Sequence, residues 1–360
     1  MNRDPGLAAW LTLAHAPGLG AGAIRRLLRE FGLPEAVLSA QRSELGRVVP
    51  AAALQGLDAP ATRSAVARSL EWAAAPGCHI VPLSDPAYPR LLYEIADPPT
   101  LLFARGRLEL AKAAALAIVG SRNATPQGLA NAESFAKALS AAGLCIASGL
   151  ALGIDTAAHR GGLAGTGSTV AVLGTGIDIC YPAKNEALAE EIAARGLLLS
   201  EFPLGTSPAA HNFPRRNRLI SGMARGVLVV EAAIASGSLI TARTAIEQGR
   251  EVFAIPGSIH SPLAKGCHAL IKAGAKLVDS VEDVLSELGT WRADATAHAP
   301  EIAREEEPAL LAHIGFDPVD LDSLCARAGL PAEKVSSQLL RLELDGRIAA
   351  LPGGRYQRLN

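Results

Sequence analysis

The spacing of apolar residues changes twice along this chain, and the changes divide it. Up to about residue 76 they recur every three or four positions, at 7–14, 24–31 and 64–74, which predicts a helical domain over residues 1–76. Pro82, Pro86, Pro89, Pro98 and Pro99 then exclude a long helix and mark an extended lead-in. Beyond them come short runs that are apolar at nearly every position, at 115–119, 144–147, 169–173, 197–199, 226–230 and 252–255. Helical patterns at 127–142, 155–163, 185–194, 217–224 and 240–248 separate most of these runs. Strands apolar throughout are covered on both faces, and strands joined by crossover helices run parallel. Residues 77–290 are therefore expected to form a Rossmann-like α/β core with a parallel sheet of at least six strands. Residues 291–307 are polar, with Pro300 and the run Glu305-Glu306-Glu307, and read as a linker. The remainder, 308–360, gives helices at 308–314, 321–328 and 332–345 and a hairpin of 347–351 with 355–359 around Gly353-Gly354, which together predict a winged-helix domain.

Charge sharpens this picture locally. The chain has 34 basic and 35 acidic residues, but between His211 and Ala275 eight Lys/Arg face three acids. A basic patch on a neutral protein is the footprint of a phosphate-bearing partner. The winged helix is nearly balanced in charge, so protein docking is as good a use for it as base reading. The five cysteines are scattered, with no CxxC pair, so neither structural zinc nor a disulfide framework is expected. No cofactor is expected either. The longest apolar runs fall short of a membrane span and the N-terminus does not read as a signal peptide, so a cytoplasmic protein without membrane insertion is expected.

In an open parallel sheet, ligands bind at the carboxyl ends of the strands, and the exit loops there are rich in Gly and Ser. They read Gly120-Ser121-Arg122-Asn123, Ser148-Gly149-Leu150-Ala151-Leu152-Gly153, Gly174-Thr175-Gly176 and Ser236-Gly237-Ser238. Each precedes a helix, where free amides and the helix dipole favour an anion, so together they would form an electropositive rim. Each also has a plainer use as an ordinary strand-to-helix turn. Gly174-Thr175-Gly176 does not extend to GxGxxG, because Ile179 stands where the third glycine belongs, and no P-loop occurs. Arg122 suits a bidentate phosphate contact or stacking on a base. Arg215, Arg216 and Arg218 follow Phe213-Pro214, and an aromatic among arginines fits single-stranded nucleic acid; Phe213 could equally belong to the core. In the helical domain, Pro17-Gly18-Leu19-Gly20 resembles a helix-hairpin-helix turn, with Arg25, Arg26 and Arg29 behind it; a tight turn between helices accounts for the same glycines.

Catalytic candidates are sparse. Asp155 and His159 stand four apart on one helix and suit either acid–base work or a helix-start acid with a hydrogen-bonded histidine. Glu201 and Glu231 end strands beside the expected crevice.

These residues resemble the DNA-processing protein A family (DprA, also called Smf). The resemblance rests on Gly120-Ser121-Arg122, SGLALGIDTAAHRGGL from Ser148, LGTGIDICYPAKN from Leu173, and the FPRRNRLISG, VVEA, SGSLITA and VFAIPG segments between Phe213 and Gly257. It implies a non-enzymatic, cytoplasmic protein that binds and protects incoming single-stranded DNA during natural transformation, loads the RecA recombinase onto it, and dimerises through the Rossmann core. By matching motif, Ser121 and Arg122 would contact phosphate or base, Phe213, Arg215, Asn217 and Arg218 would line the DNA pocket, and Gly237 and Ser238 would add backbone and hydroxyl contacts. Gly120, Gly149, Gly174, Gly176 and Ser236 complete the expected DNA-binding loops. Some members carry a lysine shortly before the Phe-Pro, where this chain has Pro208-Ala209-Ala210. That basic contact is then missing, or supplied by Arg216 or Lys184. A different class of function on a similar core is a nucleotide-processing enzyme resembling phosphoribohydrolases, with Glu231 or Glu201 as its acid.

Overall fold

The computed structural model describes residues 5–289 and 309–359. The expected linker 291–307 lies outside the described residues, as do the junction residues 290 and 308. The central element is a nine-stranded sheet built from β1 (Cys78–Pro82), β2 (Leu101–Gly106), β3 (Ala115–Val119), β4 (Cys145–Ser148), β5 (Thr169–Val172), β6 (Leu197–Ser200), β7 (Gly226–Val229), β8 (Glu251–Ala254) and β9 (Lys276–Leu277), in the order β1-β2-β6-β5-β4-β3-β7-β8-β9. The six expected strands are all present, and from β6 to β9 every pairing is parallel.

The proline-rich lead-in is more ordered than its composition suggests. It contributes β1 and β2, which pair antiparallel with each other and add β2 antiparallel to β6. The sheet is therefore mixed rather than all parallel. Its prolines lie at the end of β1 and in the connection to β2, where no interior ladder bond is lost.

The continuous apolar runs are explained by burial on both faces. Along β3, Ala115, Ala117 and Val119 face one core cluster and Leu116 and Ile118 face another. Helices Asn212–Met223 and Gly237–Glu247 cover the first face through Leu219, Ile220, Met223, Leu239 and Ala242. Helices Pro126–Ala141 and Ile154–Ala164 cover the second through Ala132, Ala136, Ile154 and Ala158. Strand order reverses at β3, with β4, β5 and β6 to one side and β7, β8 and β9 to the other. The carboxyl ends of β3 and β7 therefore diverge into their loops at a topological switch point.

The helical domain has helices Pro5–His15, Ala21–Phe31 and Pro60–Ala73 where three were expected, with shorter turns of helix between the last two. Gly18 takes φ +86, which a side chain would resist, to turn the chain between the first two helices. Arg25 behind this turn is committed to the core, pairing with Asp97 at 2.7 Å and donating to the Pro98 carbonyl at 2.8 Å. Arg26 and Arg29 remain exposed.

The C-terminal part is a winged helix: helices Leu321–Ala328 and Ala332–Leu344 and a three-stranded sheet of Val319–Asp320, Ile348–Leu351 and Arg355–Arg358 around their own apolar cluster. The first expected helix of this domain is a short 3-10 turn, Ala309–His313, among the described residues.

Candidate nucleic-acid interface

At the switch point lies a crevice of about 560 Å³. The β3 exit loop forms one wall with Gly120, Ser121, Arg122 and Asn123, and Ser236, Gly237 and Ser238 after β7 form the other. Phe213, Arg216, Asn217 and Ile220 of helix Asn212–Met223 close it. The helix begins five residues earlier than expected, with Pro214 in its first turn, where proline's missing N–H removes no helical bond. At about 100° per residue, Phe213, Asn217 and Ile220 then share one face, and that face is the crevice.

Phe213 is half-buried at the mouth rather than in the core. The Arg122 guanidinium carbon lies 5.6 Å from its ring centroid, and Tyr181 packs on it with centroids 5.5 Å apart. Tyr181 and Asp155, which also lines the crevice, were absent from the DNA-contact residues expected by motif. Tyr181 lies 32 positions before Phe213 in the chain, and only the fold joins them.

The three arginines that look equivalent in sequence divide between two faces. Arg216 is 4% exposed and donates from Nη1 to the carbonyls of Gly149 and Val172, so it ties two strand exits together beneath the crevice. Burial pulls its pKa down to about 10, partly countered by Asp155, which leaves it cationic at neutral pH. Arg215 and Arg218, three apart, face the other way and pair with Glu201, whose side chain is 2% exposed. Contrary to the expectation from motif, neither lines the crevice. Arg215 instead lies over the Phe202 ring at 5.4 Å, and Arg218 also approaches Asp97.

The four-loop rim is also reduced: the loop after β4 reaches the crevice only through Ala151, and the Gly174 loop does not line it. Gly149 is buried, and a Cβ there would meet the Arg216 guanidinium at 2.6 Å. Its N–H, like that of Ala151, donates to Asp155. Gly174 lies under Phe213, where a Cβ would come within 2.8 Å of the ring, and Gly176 is buried with its N–H bonded to Thr206. Neither lines the crevice, and Lys184 is exposed away from it. The second wall does keep helix-start character: Ser236 caps helix Gly237–Glu247, and the exposed Gly237 N–H has no acceptor within that helix.

The catalytic candidates are held in structural bonds. Thr169 Oγ1 donates to the Ile146 carbonyl, so His159 Nδ1 must donate to Thr169 and Nε2 must accept the Leu150 N–H. Burial, with Arg216 nearby, pushes the His159 pKa down to about 3, and the ring is neutral. Burial raises the Asp155 pKa, opposed by Arg216 and by the loop amides. The Glu231 carboxylate accepts from the Thr125 N–H and hydroxyl and fixes the start of helix Pro126–Ala141.

A family model described as DNA recombination-mediator protein A matches residues 79–289, and one described as DprA winged helix domain matches residues 294–354. The chain belongs to the DNA recombination-mediator protein A family. It is 44% identical to Protein Smf of Escherichia coli (strain K12), over 82% of each chain. To the DNA processing protein DprA of Streptococcus pneumoniae it is 51% identical over 56% of this chain and 72% of that one. Its fold matches the X-ray structure of DprA from Streptococcus pneumoniae with a TM-score of 0.68 and 38% identity, covering 77% of this chain and 95% of the other. A second solved family member, DNA processing protein A from Helicobacter pylori, is described for its single-stranded DNA binding mode; it matches with a TM-score of 0.52 and 29% identity over 56% of this chain and 92% of that one. No helix among the described residues is long and apolar enough to cross a membrane.

Proposed function

We propose that this protein binds single-stranded DNA in the switch-point crevice, holding the strand without turning it over. The observation that carries this is the pairing of Arg122 with Phe213 at 5.6 Å on the mouth of a crevice whose far wall is a helix start. Such a mouth offers a cation to the backbone, an aromatic face to a base, and amide and hydroxyl groups to phosphate oxygens. The single-stranded DNA binding of the Helicobacter pylori relative supports the same reading. From family membership we further propose that the protein acts in the cytoplasm as a homodimer through its Rossmann core, protecting strands that enter during natural transformation and loading RecA onto them.

Electrophoretic titration of single-stranded and duplex oligonucleotides at two salt concentrations tests the binding claim. Single strands should bind more tightly, with affinity falling steeply as salt rises. Arg122→Glu should weaken binding and reduce the salt dependence; unchanged binding by that variant would place the site elsewhere. The phosphoribohydrolase-like alternative loses its acids, because Glu231 is bonded to Thr125 and Glu201 to Arg215 and Arg218. Release of free base from AMP by the purified protein would restore it.

A further inference from the structure

Beside the crevice, and sharing Arg122, Phe213, Asn217 and Gly237 with it, lies a second concavity of about 480 Å³. Its remaining walls are Tyr181, Pro214, Ile240 and the shelf Pro208-Ala209-Ala210. We propose that this concavity is a second base-stacking subsite, with Tyr181 as its platform, so that the site grips two consecutive nucleotides. The inference rests on the single-stranded DNA reading and extends it to a pocket and a residue that reading does not use.

Three observations carry it. Tyr181 is 45% exposed although it is a large aromatic, and its ring is held in place by Phe213, with centroids 5.5 Å apart and planes inclined at 37°. A stacked base occupies about 3.4 Å on each side, so no base fits between these two rings. The base must lie on the open side of Tyr181, within the second concavity. The shelf from Pro208 to Ala210 carries no charge, and Ile240, 46% exposed, adds apolar surface opposite. Besides the Tyr181 hydroxyl, the polar side chains on its wall are Arg122 and Asn217, both at the border shared with the first crevice. A phosphate would find no cation on the shelf, whereas the flat face of a base would find apolar contact. Because the first crevice and this one share a wall, a strand can place one nucleotide in each without leaving the surface.

The two subsites should differ in their response to salt. Stacking on Tyr181 releases no counterion, so its loss lowers affinity without changing the salt slope, whereas loss of Arg122 lowers both. Fluorescence anisotropy of full-length protein with short oligothymidylates over a range of salt concentrations reads both quantities. Tyr181→Ala should weaken binding roughly 5- to 100-fold with an unchanged slope, and Tyr181→Phe should bind as the wild type does. An oligonucleotide with one abasic position should lose less affinity on Tyr181→Ala than its intact counterpart. Wild-type affinity in Tyr181→Ala, alongside lost binding in Arg122→Glu, would overturn the second subsite and leave the first crevice standing. A wild-type protein that bound no oligonucleotide would overturn both.

Discussion

Mild acid should destabilise the core of this protein through His159. The ring is fully buried, donates to Thr169, accepts the Leu150 N–H, and has its pKa pushed down to about 3 from an ordinary value of 6.5. In the unfolded chain the same imidazole protonates near its ordinary value, so below that pH the unfolded state binds the extra proton. Stability is intact above pH 6.5 and falls as pH drops from there towards 3, at up to about 1.4 kcal/mol per pH unit. At pH 5 the loss from this one group is about 2 kcal/mol. Asp155 and Glu201, whose pKa values are raised by burial, act in the opposite sense and favour the folded state as pH falls. The wild-type profile therefore mixes both signs, and His159→Gln isolates the histidine. Urea unfolding of both proteins, followed by circular dichroism at pH 7.5 and pH 5, should show the wild type losing about 2 kcal/mol more than the variant over that interval. The protection of the Leu150 amide, taken relative to its intrinsic exchange rate, should fall in the wild type over the same interval, because protonation of the unfolded chain makes opening easier. Equal losses in the two proteins would refute the neutral, accepting histidine and the loop anchoring built on it.

Three further outcomes follow from the same contacts. Arg218→Ala removes a partner from buried Glu201 and should lower stability by about 3 kcal/mol in thermal or chemical melts, leaving the oligonucleotide salt slope unchanged; Arg215→Ala, half-exposed, should cost no more than about 1 kcal/mol. A reduced salt slope in either variant would return that arginine to the DNA path. Glu231→Gln should destabilise by about 1–2 kcal/mol through the start of helix Pro126–Ala141 while DNA titrations match the wild type. Gly174→Ala brings a methyl within 2.8 Å of Phe213, so the ring must move and oligonucleotide affinity should fall; an unchanged affinity would show that the placement of Phe213 does not matter.

The strands β3 to β8 were legible because burial on both faces leaves nearly every position apolar, a signal carried within each strand. Strands β1, β2 and β9 were not, since β1 and β2 join through antiparallel pairing across about 20 residues and β9 is two residues long. The short strand Val319–Asp320 of the winged helix escaped for the same reason of length. The glycine loops and the arginine cluster marked the switch point, but composition alone treated Arg215, Arg216 and Arg218 as one group. Their helical spacing was enough to separate Arg215 and Arg218 from Arg216, once the start of the helix was known to be Asn212.

What the sequence determined by itself is the order of the strands β3 to β8 with their helices, the strand end at which the crevice lies, and the family, because each depends on local periodicity or on a contiguous motif. Tertiary structure decided which charges remain free. Glu201 follows β6 and comes to rest against Arg215 and Arg218, Asp155 takes the amides of the Gly149 loop, and Tyr181 meets Phe213 across three intervening elements. These pairings join segments distant in the chain, and the energy of a charge or ring depends on what is packed within a few ångströms of it rather than on its neighbours in sequence.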